Sequence, residues 1–327
     1  MARIVITGAG GLLGSSLISE LTEHDEFEIL GLVRSDVSIP KSFPQNVHYQ
    51  EADVLDFLGL EAIFNADDIV IHCAAIVSYD VKEVSKMLKV NELGTANVVS
   101  AAMNKNIKKL IHISSVATLT QKKNGEIITE HNIWSDHPEA SQYAISKFKA
   151  EQEVWRGIYE GLSATILNPS FILGAGDFNK SSLKIINTVA NNNLFYPRGS
   201  NGFVDIVDVT KAIIETVRND YFGERFVISG ANLSYKSLYQ LFMKGLGRKF
   251  KSMPLPSFTD RFIVLADFLK SLIPGQKRVI WRDTVNATKQ ERTFDNTKSI
   301  QVLGMQYRPI EETITAMSIK YLQQVQK

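Results

Sequence analysis

The chain has 327 residues, enough for two domains of ordinary size. Hydrophobic residues make up 44% and charged residues 22%, which excludes disordered and collagen-like classes. Lys+Arg number 36 and Asp+Glu 35, a formal charge of +1 that supplies neither a basic footprint for nucleic acid nor a polybasic membrane anchor.

In chain order, Arg3–Thr7 reads as a buried strand and Gly14–Glu23 as a helix. Strands are predicted at Glu28–Val33, Val47–Ala52 and Ile69–Cys73, a helix at Val84–Asn104, and a strand at Lys109–Ile113. A helix from about Ser141 to Glu160 and a strand at Ala164–Asn168 complete this rhythm. Continuous apolar strands alternating with helices predict an α/β fold, a doubly wound parallel sheet covered on both faces. Beyond Pro169 come loops at Gly174–Ser182 and Arg198–Gly202, helical pieces at Leu183–Asn192 and Asp208–Arg218, and a returning strand at Arg225–Ile228. The remainder reads as mostly helical. The expected division is a dinucleotide-binding domain at 1–169, with 203–230 returning to it, and a smaller substrate lobe at 170–202 and 231–327.

The lone cysteine, Cys73, permits no internal disulfide and no Cys-rich zinc site. The six histidines form no metal-binding motif, so no metal is expected, and His72 and His112 read as packed strand residues. Glycines interrupt the apolar start, which lacks a cleavage pattern. The apolar stretch Phe262–Ile273 contains Asp267 and Lys270 and is too short to span a bilayer. It reads instead as a helical stripe that roofs the substrate pocket or packs the second lobe. The expectation is a soluble, cytoplasmic protein with no membrane partner.

Thr7–Gly14 lies between the first strand and the first helix, with Gly8, Gly11 and Gly14 three apart. One glycine permits the tight turn, one lets backbone N–H groups approach a pyrophosphate, and one lets the helix pack on the strand. Gly10, Leu12 and Leu13 complete the turn, and the anion rests on the positive end of the helix dipole. At the end of the second strand an acidic residue binds the ribose 2′-hydroxyl, whereas an arginine accepts a 2′-phosphate. Arg34 stands there, favouring NADP, with NAD as the alternative. Asp53 and Val54 follow the third strand and flank the adenine; Asp53 equally suits the cap of the next turn.

Tyr143 and Lys147 are one helical turn apart on the same face. A free phenol, with a pKa of about 10, is a poor acid–base at neutral pH, and a nearby ammonium and an oxidised nicotinamide both stabilise phenolate and lower that value. Ser114 and Ser115 close the strand Lys109–Ile113 at the carboxyl edge, where parallel-sheet enzymes bind their ligands. A hydroxyl there can orient a reacting carbonyl, or simply cap a turn.

Together Thr7–Gly14, Asp53-Val54, His72–Ala75, Asn91–Thr95, Ser114-Ser115, Tyr143–Lys147 and Asn168-Pro169-Ser170 resemble the extended short-chain dehydrogenase/reductase family. The resemblance implies Ser115 as the carbonyl-orienting hydroxyl, Tyr143 as proton donor or acceptor, and Lys147 on the nicotinamide ribose. It implies Ala74 and Ala75 as small residues at the cofactor, and Pro169 and Ser170 beside the nicotinamide. Asn91 matches a family position near the site, its plain alternative being a helix cap. The run Asn168–Gly174 and Arg34 look most like dihydroflavonol and cinnamoyl-CoA reductases. The implied activity is NADP-dependent reduction of an aldehyde or ketone, with a homodimer expected. A nucleotide-sugar 4-epimerase with tightly bound NAD and a non-catalytic dinucleotide sensor are the alternatives. The substrate is a small carbonyl compound or a sugar nucleotide.

Overall fold

The computed structural model describes residues 2–34, 43–123, 125–136, 140–176, 178, 181–191, 194–256 and 288–325. The stripe predicted at Phe262–Ile273 lies outside them.

The central sheet is built from β1 (Ala2–Thr7), β2 (Phe27–Val33), β3 (Val47–Glu51), β4 (Ile69–His72), β5 (Lys109–Ile113), β7 (Ala164–Pro169) and β11 (Arg225–Ile228). All seven are parallel, in the order β11-β7-β5-β4-β1-β2-β3. Their side chains alternate between two cores, as a two-residue period requires. Ile4, Ile6, Ile69, Ile71, Ile111 and Ile113 face one core, completed by α1 (Leu12–Leu21) and α7 (Ile206–Arg218). Val5, Val70 and Leu110 face the other, completed by α2 (Phe57–Ile63), α4 (Gly94–Asn104) and α5 (Gln142–Tyr159). Both faces are thus covered, which explains why these strands are apolar throughout.

The chain reverses direction across the sheet at β1, which pairs with β2 on one side and β4 on the other. The carboxyl ends of β1 and β4 therefore border the crevice in which such sheets bind ligands.

The helix predicted at Val84–Asn104 is interrupted. It runs as α3 (Val84–Leu88), a π-helical turn at Lys89–Leu93 and then α4. A second difference lies beyond Pro169. A three-stranded sheet joins β8 (Phe171–Leu173), β10 (Ser200–Asp205) and β12 (Ala231–Ser234), so β10 overlaps the loop expected at Arg198–Gly202, and the short β6 (Ile127–Ile128) and β9 (Phe195–Tyr196) pair with Thr293–Phe294 and Met253–Pro254. Gly202 explains why no alternating pattern announced it. A Cβ there would lie 2.5 Å from Ser229 Oγ and 2.9 Å from Ser170 Cβ. This sheet shares a third apolar core with α6 (Lys184–Asn191), α8 (Tyr235–Gly245) and the helix Ile310–Val325. Among the described residues no helix is long and apolar enough to cross a membrane.

Candidate active site

At the end of β1 the backbone turns at Gly8, whose φ is +72°. A Cβ there would sit 2.7 Å from both the N and Cα of Ala74, at the end of the neighbouring β4. At Gly14 a Cβ would lie 2.3 Å from Gly8 O, so helix and turn touch backbone to backbone. Gly11 is the N-cap of α1, with no side-chain cap and no acidic residue in the first turn. Gly10 and Gly11 are exposed; Leu12 and Leu13 are half-buried. This leaves the positive end of α1 open to an anion, flanked by a glycine cradle that any side chain would fill. The residues present fit a dinucleotide, whose pyrophosphate Gly8–Gly14 would hold.

The cradle is fixed from below by a buried chain of hydrogen bonds. Thr95 Oγ1 donates to Asn91 O at 2.6 Å, and so accepts from His72 Nε2, 2.9 Å away. His72 Nδ1 then accepts from Thr7 Oγ1 at 2.7 Å, and Thr7 Oγ1 in turn accepts from Ala74 N–H at 3.3 Å. Burial, reinforced by the Lys147 ammonium, drives the His72 pKa down to about 3, so the imidazole stays neutral. His72 is thus a structural strut joining the ends of β1 and β4 to α4.

Arg34 is exposed immediately after β2, at the same sheet edge as the glycine turn. Asp53 Oδ1 accepts from Leu55 N–H at 2.9 Å, realising the turn-capping alternative. Val54 is buried against Gly94, where a Cβ would lie 2.7 Å from Val54 Cγ2. Ala74 packs on Gly8, while Ala75 is exposed.

At the carboxyl end of β5, Ser115 caps a 3₁₀ turn, Ala117 N–H donating to its Oγ at 3.1 Å, and it lies close enough to the Tyr143 side chain to act on the phenol. Tyr143 is half-buried near the start of α5, a helix capped by Ser141. One turn on, Lys147 is 2% exposed and donates from Nζ to Ile113 O at 2.8 Å. The structure therefore brings Ser115, Tyr143 and Lys147 together from two elements. Burial pushes the Tyr143 pKa up to about 12, with Ser115 acting against it and Tyr79 adding to it. That is opposite to the lowering expected from Lys147. Here the phenol's loss of water dominates, and the ammonium is turned to the Ile113 carbonyl. Burial lowers Lys147 to about 8, opposed by Glu151 and Cys73.

Asn91 is no helix cap. It sits in the π-helical turn, 1% exposed, and its amide bonds the backbone of Ile76 and the hydroxyl of Ser146, between Tyr143 and Lys147. Such turns place a side chain out of α-helical register, often at functional sites. Pro169 ends β7, and Ser170 is held through its N–H to Ile228 O at 2.9 Å. Among the described residues Ser170 Oγ is buried with no hydrogen-bond partner, a polar atom available to a bound group.

Sequence reasoning missed several neighbours. Tyr79 lies with its ring 6.4 Å from that of Tyr143. Tyr235 is buried near Asn201 and feels the charge of Arg292, whose Nε and Nη2 both donate to Gln290 Oε1. No local pattern announces these residues, because they come from separate segments. Glu151 was findable, standing one turn beyond Lys147 on the same helix face. Among the described residues no group of three or more His, Cys, Asp or Glu side chains is placed to hold a metal ion.

A parallel doubly wound sheet, a glycine cradle at its switch point and a Ser–Tyr–Lys set at the same edge define an NAD(P)-dependent oxidoreductase of the extended short-chain type. The chain belongs to the NAD dependent epimerase/dehydratase family, whose model matches residues 4–228. It is similar to cinnamoyl-CoA reductase 1 of Petunia hybrida, at 24% identity over 98% of this chain and 92% of the relative. It is also similar to a putative dihydroflavonol 4-reductase of Synechocystis sp., at 24% identity over 94% and 91%. The crystal structure of gox2253 superposes with a TM-score of 0.83 at 26% identity, covering 99% of each chain. The fold is shared with UDP-glucose 4-epimerase of Thermotoga maritima bound to UDP-glucose (TM-score 0.77, 18% identity, 99% of each chain). It is shared too with Gre2 of Candida albicans in complex with NADPH (TM-score 0.76, 22% identity, 99% of each chain).

Proposed function

We propose that this chain is an NADP-dependent reductase that converts an aldehyde or ketone to an alcohol. The observation that carries this reading is the juxtaposition of Ser115 and Tyr143, one helical turn before the buried Lys147, with the phenol held in its acid form. A group that begins the reaction protonated is suited to giving a proton, the first requirement of carbonyl reduction. In the proposed reaction the Ser115 hydroxyl donates to the carbonyl oxygen and fixes its position. Tyr143 O–H then passes its proton to that oxygen as it becomes an alkoxide. The Lys147 ammonium, one helical turn away, stabilises the phenolate left behind. A bound nicotinamide supplies the hydride. The resemblance to cinnamoyl-CoA and dihydroflavonol reductases supports this direction, and exposed Arg34 after β2 supports NADP as the donor.

The reading assigns 1–169 with 203–230 to cofactor binding and 170–202 with 231–327 to the substrate, in a cytoplasmic homodimer. Purified protein is expected to consume NADPH with a member of an aldehyde and ketone panel. Tyr143→Phe should then lose about 10²–10⁴-fold in turnover while its NADPH Kd stays within about twofold. Full turnover by Tyr143→Phe overturns the mechanism. Conversion of a sugar nucleotide without NADPH consumption overturns the reductase reading in favour of epimerisation, and NADPH binding without turnover of any carbonyl favours a sensor.

A further inference from the structure

Glu151 lies on α5 one turn beyond Lys147, and it is 2% exposed. A carboxylate so deeply buried is costly unless its lone pairs are filled. Its Oε2 accepts from Ser114 Oγ at 2.5 Å, Asn168 Nδ2 at 2.9 Å and Thr118 Oγ1 at 3.0 Å. Its Oε1 is paired with Arg225 Nη1 at 2.7 Å, from the edge strand β11.

The donors to Oε2 converge on one residue. Ser114 precedes Ser115 in the chain. Asn168 Nδ2 also donates to Ser115 O at 3.0 Å, and Thr118 Oγ1 lies 3.0 Å from the same oxygen, its single proton shared between that carbonyl and the carboxylate. The carboxylate thus gathers the end of β5, the turn after it and the end of β7 around the backbone of Ser115. Holding hydroxyls and an amide would need only a neutral acceptor. A charge has a second use on this face of the helix. Of the groups that act on the Lys147 ammonium, His72, His112 and Cys73 are kept uncharged by burial, and Glu151 faces it from the next turn.

We propose that Glu151 is a positioning residue with two roles, fixing the Ser114–Thr118 segment that presents Ser115 to Tyr143 and balancing the buried ammonium of Lys147. The kinetic arm of its test rests on the proposed reductase reading; the protonation arm does not.

The protonation arm follows the Lys147 ¹⁵Nζ resonance in ¹⁵N-lysine-labelled full-length protein across pH, the signal being assigned by its absence in Lys147→Met. Glu151→Gln removes the negative charge, so the midpoint of Lys147 is expected to move to lower pH by at least about 0.5. Glu151→Asp keeps the charge on a shorter arm and is expected to restore most of that shift. In the kinetic arm, Glu151→Gln is expected to lower kcat for NADPH-dependent carbonyl reduction by about tenfold or more, with KM for NADPH within about twofold. An unmoved Lys147 midpoint overturns the charge role, and an unchanged kcat overturns the positioning role. If Glu151→Gln fails to fold because the half-buried Arg225 loses its only carboxylate partner among the described residues, Glu151→Gln/Arg225→Met takes its place, with a smaller shift in the same direction expected. A wild-type chain that reduces no carbonyl overturns the reductase reading alone, and the Lys147 midpoint still decides the role of Glu151.

Discussion

Asn91 and Ile76 exchange two hydrogen bonds, Ile76 N–H donating to Asn91 Oδ1 at 2.8 Å and Asn91 Nδ2 donating to Ile76 O at 2.9 Å. The side-chain amide thereby pairs with backbone as a neighbouring strand would, and pins the segment leaving β4 to the helix turn below it. The same Nδ2 donates to Ser146 Oγ, and Ser146 donates to Tyr143 O at 2.7 Å. One buried amide thus joins the cofactor side of the site to the helix that carries Tyr143 and Lys147.

Asn91→Leu should therefore act on both stability and activity. It leaves the Ile76 backbone pair without its partners in a buried place, a cost of about 1–3 kcal/mol. Denaturant unfolding measures that loss, and turnover should fall because the Tyr143 helix is no longer tied to the loop. Asn91→Asp tests the donor separately. It keeps the acceptor for Ile76 N–H but cannot donate to Ile76 O or Ser146, and should lie closer to Asn91→Leu than to wild type.

Gly8→Ala should destabilise the fold and weaken the cofactor site together. Its φ of +72° is strained for alanine, and the added methyl carbon meets the Ala74 backbone at 2.7 Å. The backbone term alone costs about 1–3 kcal/mol. Fluorescence titration with NADPH should show the Kd raised by about tenfold or more. An unchanged Kd would remove the turn from the proposed cofactor site.

Arg34→Asp should exchange cofactor preference. On the proposed reading the Arg34 guanidinium donates to a 2′-phosphate, and the substitution puts there a carboxylate that would repel the phosphate and accept from a 2′-hydroxyl. The ratio of kcat/KM for NADPH over NADH should fall by about tenfold or more. A ratio indifferent to Arg34 would return this side chain to the status of an ordinary surface arginine.

Lys147 makes stability depend on pH in a defined direction. Its folded pKa of about 8 lies below the ordinary value of 10.5, because burial disfavours the ammonium. Between these values the unfolded chain binds more protons than the folded one, so Lys147 makes stability rise as pH rises through that window. Below pH 8 both states are protonated and the full penalty applies. Tyr143 works the other way, its raised folded pKa lowering stability as pH climbs from 10 to about 12. The unfolding free energy of wild type relative to Lys147→Met should thus increase by roughly 2 kcal/mol between pH 7.5 and 10. A flat difference would show that Lys147 titrates near its ordinary value.

The glycine turn was legible because strand, turn and helix are contiguous, so each glycine's duty can be assigned from its spacing. Tyr143 and Lys147 were legible for a similar reason, since a separation of four residues on a helix puts two side chains on one face. Other parts of the site carry no such local mark. The strand Ser200–Asp205 hid behind Gly202 and an irregular pattern, because its pairing partners Phe171–Leu173 and Ala231–Ser234 impose its extended form. The π-helical turn at Lys89–Leu93 keeps an ordinary helical pattern in sequence and departs from it where Asn91 meets Ile76.

By itself the sequence determined the parallel sheet, the cradle at the end of its first strand, and the pairing of Tyr143 with Lys147. These depend on hydrophobic period, backbone freedom and helical repeat, all of which act over a few residues. The long-range packing alone brings Ser115 up to Tyr143, lets Asn91 tie the segment after β4 to the helix that carries Tyr143, and anchors Glu151 to Arg225, 74 residues away. It also reversed the expected direction of the Tyr143 pKa, because the water a side chain loses is set by everything that packs around it.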